Sequence, residues 1–181
     1  NFGNLTAGLM ARRAGLPIAR FVAATNANDV VPAYLTTGRF EPRPSKQTLA
    51  NAMDVGNPSN FDRMLWMYGG VDAMRADILG SCHLDDEVSA TIRRVYDTRG
   101  YLLDPHSAIA YLGLTKSGFD LGRTPGIFLA TAHPAKFHEV VERIIGQPIE
   151  KPEALATALA RPQHVLRIDA SLDAVKARLF E

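Results

Sequence analysis

The sequence predicts an α/β fold in which helices flank a parallel sheet, and three observations carry that expectation. Residues 18–24 and 126–132 are short apolar runs of the kind found in strands buried on both faces. The first run follows a short helical pattern across Gly15 and Pro17, which is the helix–strand alternation of parallel sheets. Further helical patterns recur along the chain, several of them stopped by a glycine.

The opening helix sets Leu5, Leu9 and Met10 beside the small Ala7, Gly8 and Ala11, with Gly15 at its C′ position. Residues 26–29 are polar and turn-like, and 30–35 read as one or two helical turns. Residues 36–60 have no clear period. They hold Gly38, Pro42, Pro44, Gly56 and Pro58, yet Leu49, Ala52, Met53 and Val55 argue against disorder, so a functional role is expected. Helices are expected over 61–68 and 71–79. Asp85, Asp86 and Glu87 suit a helix N-terminus, and Val88, Ile92 and Val95 repeat on one face ahead of Gly100. Asp104-Pro105 is an N-cap followed by proline at N1, opening a helix through 108–114. The run 126–132 is expected to be a strand that ends at Thr131. Pro134 then opens a helix with Phe137, Val140, Val141, Ile144 and Ile145 inward and Gly146 as its stop. Short helices over 152–160 and 171–180 end the chain.

With 181 residues, 46% hydrophobic and 22% charged, the chain has globular proportions, which exclude a disordered tail, a collagen-like repeat and a disulfide scaffold. Lys+Arg 20 against Asp+Glu 19 leaves a net charge of +1, so no global field recruits nucleic acid or a membrane surface. The single cysteine, Cys82, cannot close an internal disulfide and fits a reducing cytoplasm. No apolar stretch approaches the ~20 residues of a membrane helix. The chain opens without Met inside a loop-to-helix motif, so it is expected to be part of a longer chain.

Asn1-Phe2-Gly3-Asn4 ahead of a helix gathers free backbone N–H groups at the positive end of the helix dipole, which suits a phosphate or carboxylate; an ordinary turn is the simpler reading. Gly3 permits close backbone approach. Thr131, at the carboxyl end of a strand, stands where parallel sheets collect ligands, and its hydroxyl can face a bound heterocycle. From spacing alone, capping of the Pro134 helix by Thr131 or His133 is favoured. His106 in a first helical turn could act while neutral, though such a histidine is more often simply buried and satisfied. The scattered histidines and lone cysteine make no zinc site, and no nucleophile elbow, P-loop or dinucleotide fingerprint occurs. Phe61, Trp66, Met67 and Tyr68 read as core.

Five motifs in order resemble the threonine synthase family over essentially the whole chain. They are Asn1-Phe2-Gly3-Asn4-Leu5-Thr6-Ala7-Gly8, Ala23-Ala24-Thr25-Asn26, Asn51-Ala52-Met53-Asp54-Val55-Gly56-Asn57-Pro58-Ser59-Asn60, Pro105-His106-Ser107-Ala108, and Thr131-Ala132-His133-Pro134-Ala135-Lys136-Phe137. The resemblance implies the C-terminal part of a two-domain, tryptophan-synthase-β-like pyridoxal-phosphate fold over 1–181. It also implies a lyase of threonine biosynthesis that converts O-phospho-L-homoserine and water to L-threonine and phosphate by γ-elimination and β-addition of water.

By the same resemblance, Asn1, Phe2, Gly3 and Asn4 form the cofactor-phosphate loop, and Thr131 hydrogen-bonds the pyridine nitrogen. Asn4 stands where the family commonly has Asp. The Schiff-base lysine would lie upstream, in an N-terminal remainder, because none of Lys46, Lys116, Lys136, Lys151 and Lys176 has its context. No catalytic residue is therefore assigned, the chain alone is expected to be inactive, and the intact enzyme is expected to be monomeric. Lys136 reads as a helix-surface or substrate-side residue, and Asp54 and Asn57 as candidates for lining the substrate end. A serine or threonine dehydratase of the same fold, or a non-catalytic paralogue, are the alternatives; the former is not expected to carry the 51–60 block.

Overall fold

A two-stranded parallel sheet carries the fold. Strand β1 (Phe21–Thr25) pairs with β2 (Ile78–Cys82), with Phe21 opposite Ile78 and Thr25 opposite Cys82. The computed structural model describes residues 1–180, which form two compact units, Asn1–Ile149 and a second that begins at Glu150. The first unit holds helices α1 (Gly3–Arg13), α2 (Val30–Thr37), α3 (Phe61–Tyr68), α4 (Val71–Asp77), α5 (Asp85–Arg99), α6 (Pro105–Thr115) and α7 (His138–Ile145). The second holds α8 (Glu153–Ala160) and α9 (Leu172–Leu179). The α/β class with a parallel sheet is as the sequence predicts.

Two glycines let helices lie directly on the sheet. A Cβ at Gly80 of β2 would come within 2.8 Å of Pro32 Cα in α2, and one at Gly113 of α6 within 2.5 Å of Ala24 Cβ in β1. Leu9, Ala23, Val31, Leu35, Met64, Met74 and Ile78 form one buried cluster. Phe40 stacks on Phe61 within it (3.7 Å between centroids), and Tyr34 meets Phe61 edge-on. A second cluster joins α5, α6 and α7 through Val88, Ile92, Val95, Ile109, Leu112, Val141 and Ile145. Each fully buried side chain of this size stabilises the fold by about 1.5–3 kcal/mol.

Two elements differ from the sequence expectation. Residues 71–79 do not make one helix: α4 ends at Asp77, and Ile78 and Leu79 open β2. Both residues continue the helical apolar period, so hydrophobicity alone cannot mark the change; pairing with β1 does. The expected strand over 126–132 is absent, and that segment is irregular. A strand needs a ladder partner for its N–H and C=O groups, and among the described residues the sheet contains only β1 and β2. Ile127 is accordingly 82% and Leu129 55% exposed, while Phe128 meets Tyr111 edge-on at 5.6 Å. The helix after Pro134 begins as a 3-10 turn, Pro134–Phe137, before α7. Of the aromatic stripe, Phe61 and Met67 are buried whereas Trp66 is 80% exposed.

In the second unit Ser171 caps α9, its Oγ accepting the Ala174 N–H at 3.2 Å. Among the described residues no helix is long and apolar enough to cross a membrane.

Candidate cofactor-binding site

The loop before α1 has an anion-receiving backbone. Phe2 is the N-cap of α1 in the left-handed conformation (φ 58, ψ 24), and Gly3 already belongs to the helix. A left-handed residue followed by a right-handed one turns successive N–H groups into one concavity. The first helical hydrogen bond runs from Thr6 N–H to Phe2 O (2.9 Å), so the N–H groups ahead of it have no helical acceptor. The first turn holds no acidic residue to repel an anion. Asn1, Gly3 and Asn4 are exposed, and a Cβ at Gly3 would meet only Asn60 Nδ2, at 3.9 Å, so packing does not require glycine there. The Thr6 hydroxyl in the same turn is buried without a hydrogen-bond partner among the described residues. These features fit a group bearing a phosphate.

The 51–60 block holds this loop in place. Asn1 Oδ1 accepts Ser59 N–H (2.7 Å) and the Ser59 hydroxyl (3.0 Å), and Asn60 Nδ2 donates to Asn1 O (2.9 Å). Asp54, in the same block, is not available to line an open substrate end. Its Oδ1 accepts Asn26 Nδ2 (2.8 Å), Asn28 Nδ2 (3.1 Å) and the Thr48 hydroxyl (2.8 Å), and its Oδ2 accepts Thr48 N–H (2.9 Å). Asn26 and Asn28, both buried, follow the carboxyl end of β1. The network therefore ties the irregular segment to the sheet end where ligands of parallel sheets collect. Asn57 is exposed.

A second tie comes from α6. Asp104 caps this helix, accepting the N–H groups of His106 (2.9 Å) and Ser107 (3.4 Å). Its Oδ1 also lies 2.8 Å from His106 Nδ1, and the Ser107 hydroxyl donates to its Oδ2. Burial pushes the Asp104 carboxyl up, but the donors from His106 and Ser107 outweigh burial and hold it below its ordinary value. His106 Nε2 accepts the Ala52 N–H at 3.2 Å. The proton must then sit on Nδ1, facing Asp104, and the ring is neutral. His106 is thus a buried positioning group, packed 4.6 Å from the Phe137 ring.

Thr131 is exposed, and its hydroxyl makes no hydrogen bond within the described residues. It does not cap the Pro134 turn. His133 does, its Nδ1 accepting Ala135 N–H at 3.1 Å. Of the lysines, Lys116 is paired with Glu87, and Lys136 lies exposed in the turn after Pro134.

One further polar chain lies past β2. Ser81 Oγ is 3.2 Å from His83 Nε2, His83 Nδ1 is 2.8 Å from Glu87 Oε2, and Glu87 pairs with Lys116. The spacing is that of a nucleophile, base and orienting acid, but Ser81 Oγ is packed under α6, 3.2 Å from where a Gly113 Cβ would stand. This chain is a strut between β2, α5 and the end of α6. The Cys82 thiol donates to Asn26 O (3.2 Å), and burial pushes its pKa up, so it is no activated nucleophile. Among the described residues no group of three or more metal-ligating side chains converges.

Known proteins similar to this chain in sequence and fold agree with one another. The family model described as "Threonine synthase, C-terminal" matches residues 107–178. Threonine synthase of Haemophilus influenzae is 50% identical over 157 residues, covering 86% of this chain and 36% of the relative; that of Serratia marcescens is 45% identical over 162 residues, covering 90% and 37%. The crystal structure of threonine synthase from Escherichia coli superposes with a TM-score of 0.85 at 37% identity, covering 99% of this chain and 41% of that one. The structure of PLP-bound threonine synthase from Brucella melitensis gives 0.85 at 32%, covering 99% and 44%. The matched proteins are thus biosynthetic enzymes of a single kind, and the chain is similar to less than half of each. The chain belongs to the threonine synthase family.

Ser59, Asn60 and Arg63 were not singled out from sequence as loop-holding residues. An Asn immediately before a helical pattern signals an N-cap, and nothing in the sequence says that its amide is spent elsewhere.

Proposed function

We propose that this chain supplies the phosphate-loop side and the pyridine-nitrogen contact of a threonine synthase, which converts O-phospho-L-homoserine and water to L-threonine and phosphate. The observation that carries the reading is the left-handed Phe2 ahead of Gly3, which presents unpaired N–H groups at the start of α1 in a chain of this family. When bound, pyridoxal phosphate supplies the electron sink for chemistry at the amino-acid carbons. The chain's own residues bind and orient. The N–H groups of the Asn1–Asn4 loop receive the cofactor phosphate without a cation, and exposed Asn4 adds no negative charge there. The Thr131 hydroxyl meets the pyridine nitrogen as a neutral partner, which does not favour a protonated ring as a carboxylate does. Asp54 and His106 keep the 46–54 segment, with the exposed Asn51, at the sheet end.

By the same reading the Schiff-base lysine lies in an N-terminal remainder, the substrate is a small molecule, and the reaction runs in the cytoplasm. Assay of the full-length enzyme with O-phospho-L-homoserine is expected to release phosphate and form L-threonine in equal amounts, whereas the 181-residue polypeptide alone releases none above background. Turnover by the polypeptide alone, or formation of a 2-oxo acid in place of threonine by the full-length enzyme, contradicts this assignment.

A further inference from the structure

The Asn1–Asn4 loop is held not by the helix it opens but by Ser59 and Asn60 at the start of α3. We propose that Asn60 is a positioning residue for the cofactor-phosphate loop, acting with Ser59 and Arg63 to fix Asn1 and so aim the N–H groups that follow. The inference rests on the loop being the phosphate site, as proposed above.

Three observations carry it. Asn60 is the N-cap of α3, where an Asn side chain ordinarily accepts an N–H of the first turn, yet it makes no cap bond. Its amide is turned the other way: Nδ2 donates to Asn1 O at 2.9 Å, while Oδ1 accepts Arg63 Nη1 at 3.2 Å. The guanidinium can only donate, so it fixes which end of the amide faces the loop. Helix α3 thus gives up its side-chain cap and gains a tether to a residue 59 positions earlier.

Second, Ser59 grips the same residue from its side-chain end, by its N–H and its hydroxyl on Asn1 Oδ1. Asn1, an exposed residue, is held at both its backbone and its side chain. Third, the next residue, Phe2, is the only described non-glycine residue with positive φ. A residue in that region persists only where its surroundings hold it. Its ring is packed on the core below, and the Ser59–Asn60 clamp holds the backbone just ahead of it. The guanidinium bound to the far end of the neutral amide leaves a positive charge behind the loop.

The test uses the full-length apoenzyme, titrated with pyridoxal phosphate and separately with pyridoxal, which lacks the phosphate, following the absorbance of the bound ligand. The ratio of the two Kd values reports what the loop contributes. Asn60→Ala is expected to weaken pyridoxal phosphate about tenfold or more, what one misaimed loop N–H to a charged phosphate is worth, and to leave pyridoxal within about twofold. Asn60→Asp is expected to be worse, because besides losing the donor it turns a negatively charged acceptor toward Asn1 O and the phosphate. Arg63→Met, a change at an exposed side chain, gives a smaller loss in the same direction and decides the matter if the Asn60 variants do not fold. Equal loss for both ligands, or no loss for either, overturns the positioning role. Absence of any preference for pyridoxal phosphate in the unmutated enzyme instead overturns the assignment of the loop itself.

Discussion

His106 Nε2 accepts the backbone N–H of Ala52 at 3.2 Å, across 54 residues of sequence. The bond joins the first turn of α6 to the short 3-10 helix Asn51–Met53, and the Asp104 carboxylate on the other ring nitrogen fixes its direction. The buried, satisfied histidine that the sequence favours over an acid–base group is what the structure holds, committed at both nitrogens.

His106→Phe keeps a ring against Phe137 but leaves Ala52 N–H and one Asp104 oxygen without this partner. Ala52 is exposed and Asp104 Oδ1 keeps the backbone N–H of residue 106, so the loss is that of two net hydrogen bonds, roughly 1–3 kcal/mol, in urea denaturation of the full-length enzyme. A loss under ~0.5 kcal/mol would show the bond to be idle.

Asp104 gives the fold a dependence on acid. Its carboxyl sits below the ordinary value in the folded state. A group with a depressed folded pKa contributes stability that is present above its unfolded value, about 3.9, and is lost as pH falls through the folded one. Asp104→Asn is therefore expected to be less stable than the unmutated enzyme at pH 6, with the gap narrowing below about pH 4. Urea midpoints measured across that range check it, and a gap independent of pH contradicts the argument.

Gly3→Ala separates folding from binding. The added methyl meets only Asn60 Nδ2 at 3.9 Å, and alanine is the better helix former by up to about 1 kcal/mol. The melting temperature of the apoenzyme is expected to hold or rise slightly. Affinity for pyridoxal phosphate is expected to fall about tenfold, because the methyl stands where the phosphate must approach the backbone. Unchanged affinity would place the phosphate elsewhere.

Thr131→Val removes a hydroxyl that has no partner in the described residues. Stability is expected to change by less than about 0.5 kcal/mol. Turnover is expected to drop by one to two orders of magnitude if the hydroxyl's bond to the pyridine nitrogen is worth about 1.5–3 kcal/mol in the transition state. Full turnover in the variant sinks the assignment.

Much of the fold was legible in the sequence because its helix ends are written in local chemistry. Gly15, Gly38, Gly69, Gly100 and Gly146 all adopt positive φ after a helix, and Asp104-Pro105 caps α6 as its residue types require. The two misread elements share one cause. A strand is defined by its neighbour, so Ile78 and Leu79 looked helical without sight of β1, and 126–132 looked like a strand without a partner to pair with. Motif order alone puts forward the Asn1–Asn4 loop and Thr131 as candidates for the site. The roles of Asp54, Asn60 and His106 could not be read this way, because each depends on groups 26 to 59 positions away.

The irregular segment between α2 and α3 crosses itself where Arg43 N–H meets Gly56 O (3.0 Å), and a Cβ at Gly56 would fall 1.7 Å from Arg43 O. That crossing seals a closed ring of chain, from 43 to 56, around the Asp54 network. Length outside the ring is therefore decoupled from what the ring presents. Loops spliced in between the exposed Gly38 and Arg39, ahead of the core-packed Phe40, should alter only the periphery, whereas a residue inserted between 44 and 55 changes the ring itself. An engineer seeking a tolerant attachment point beside the site has one at 38–39, and a lineage accumulating insertions is expected to place them there.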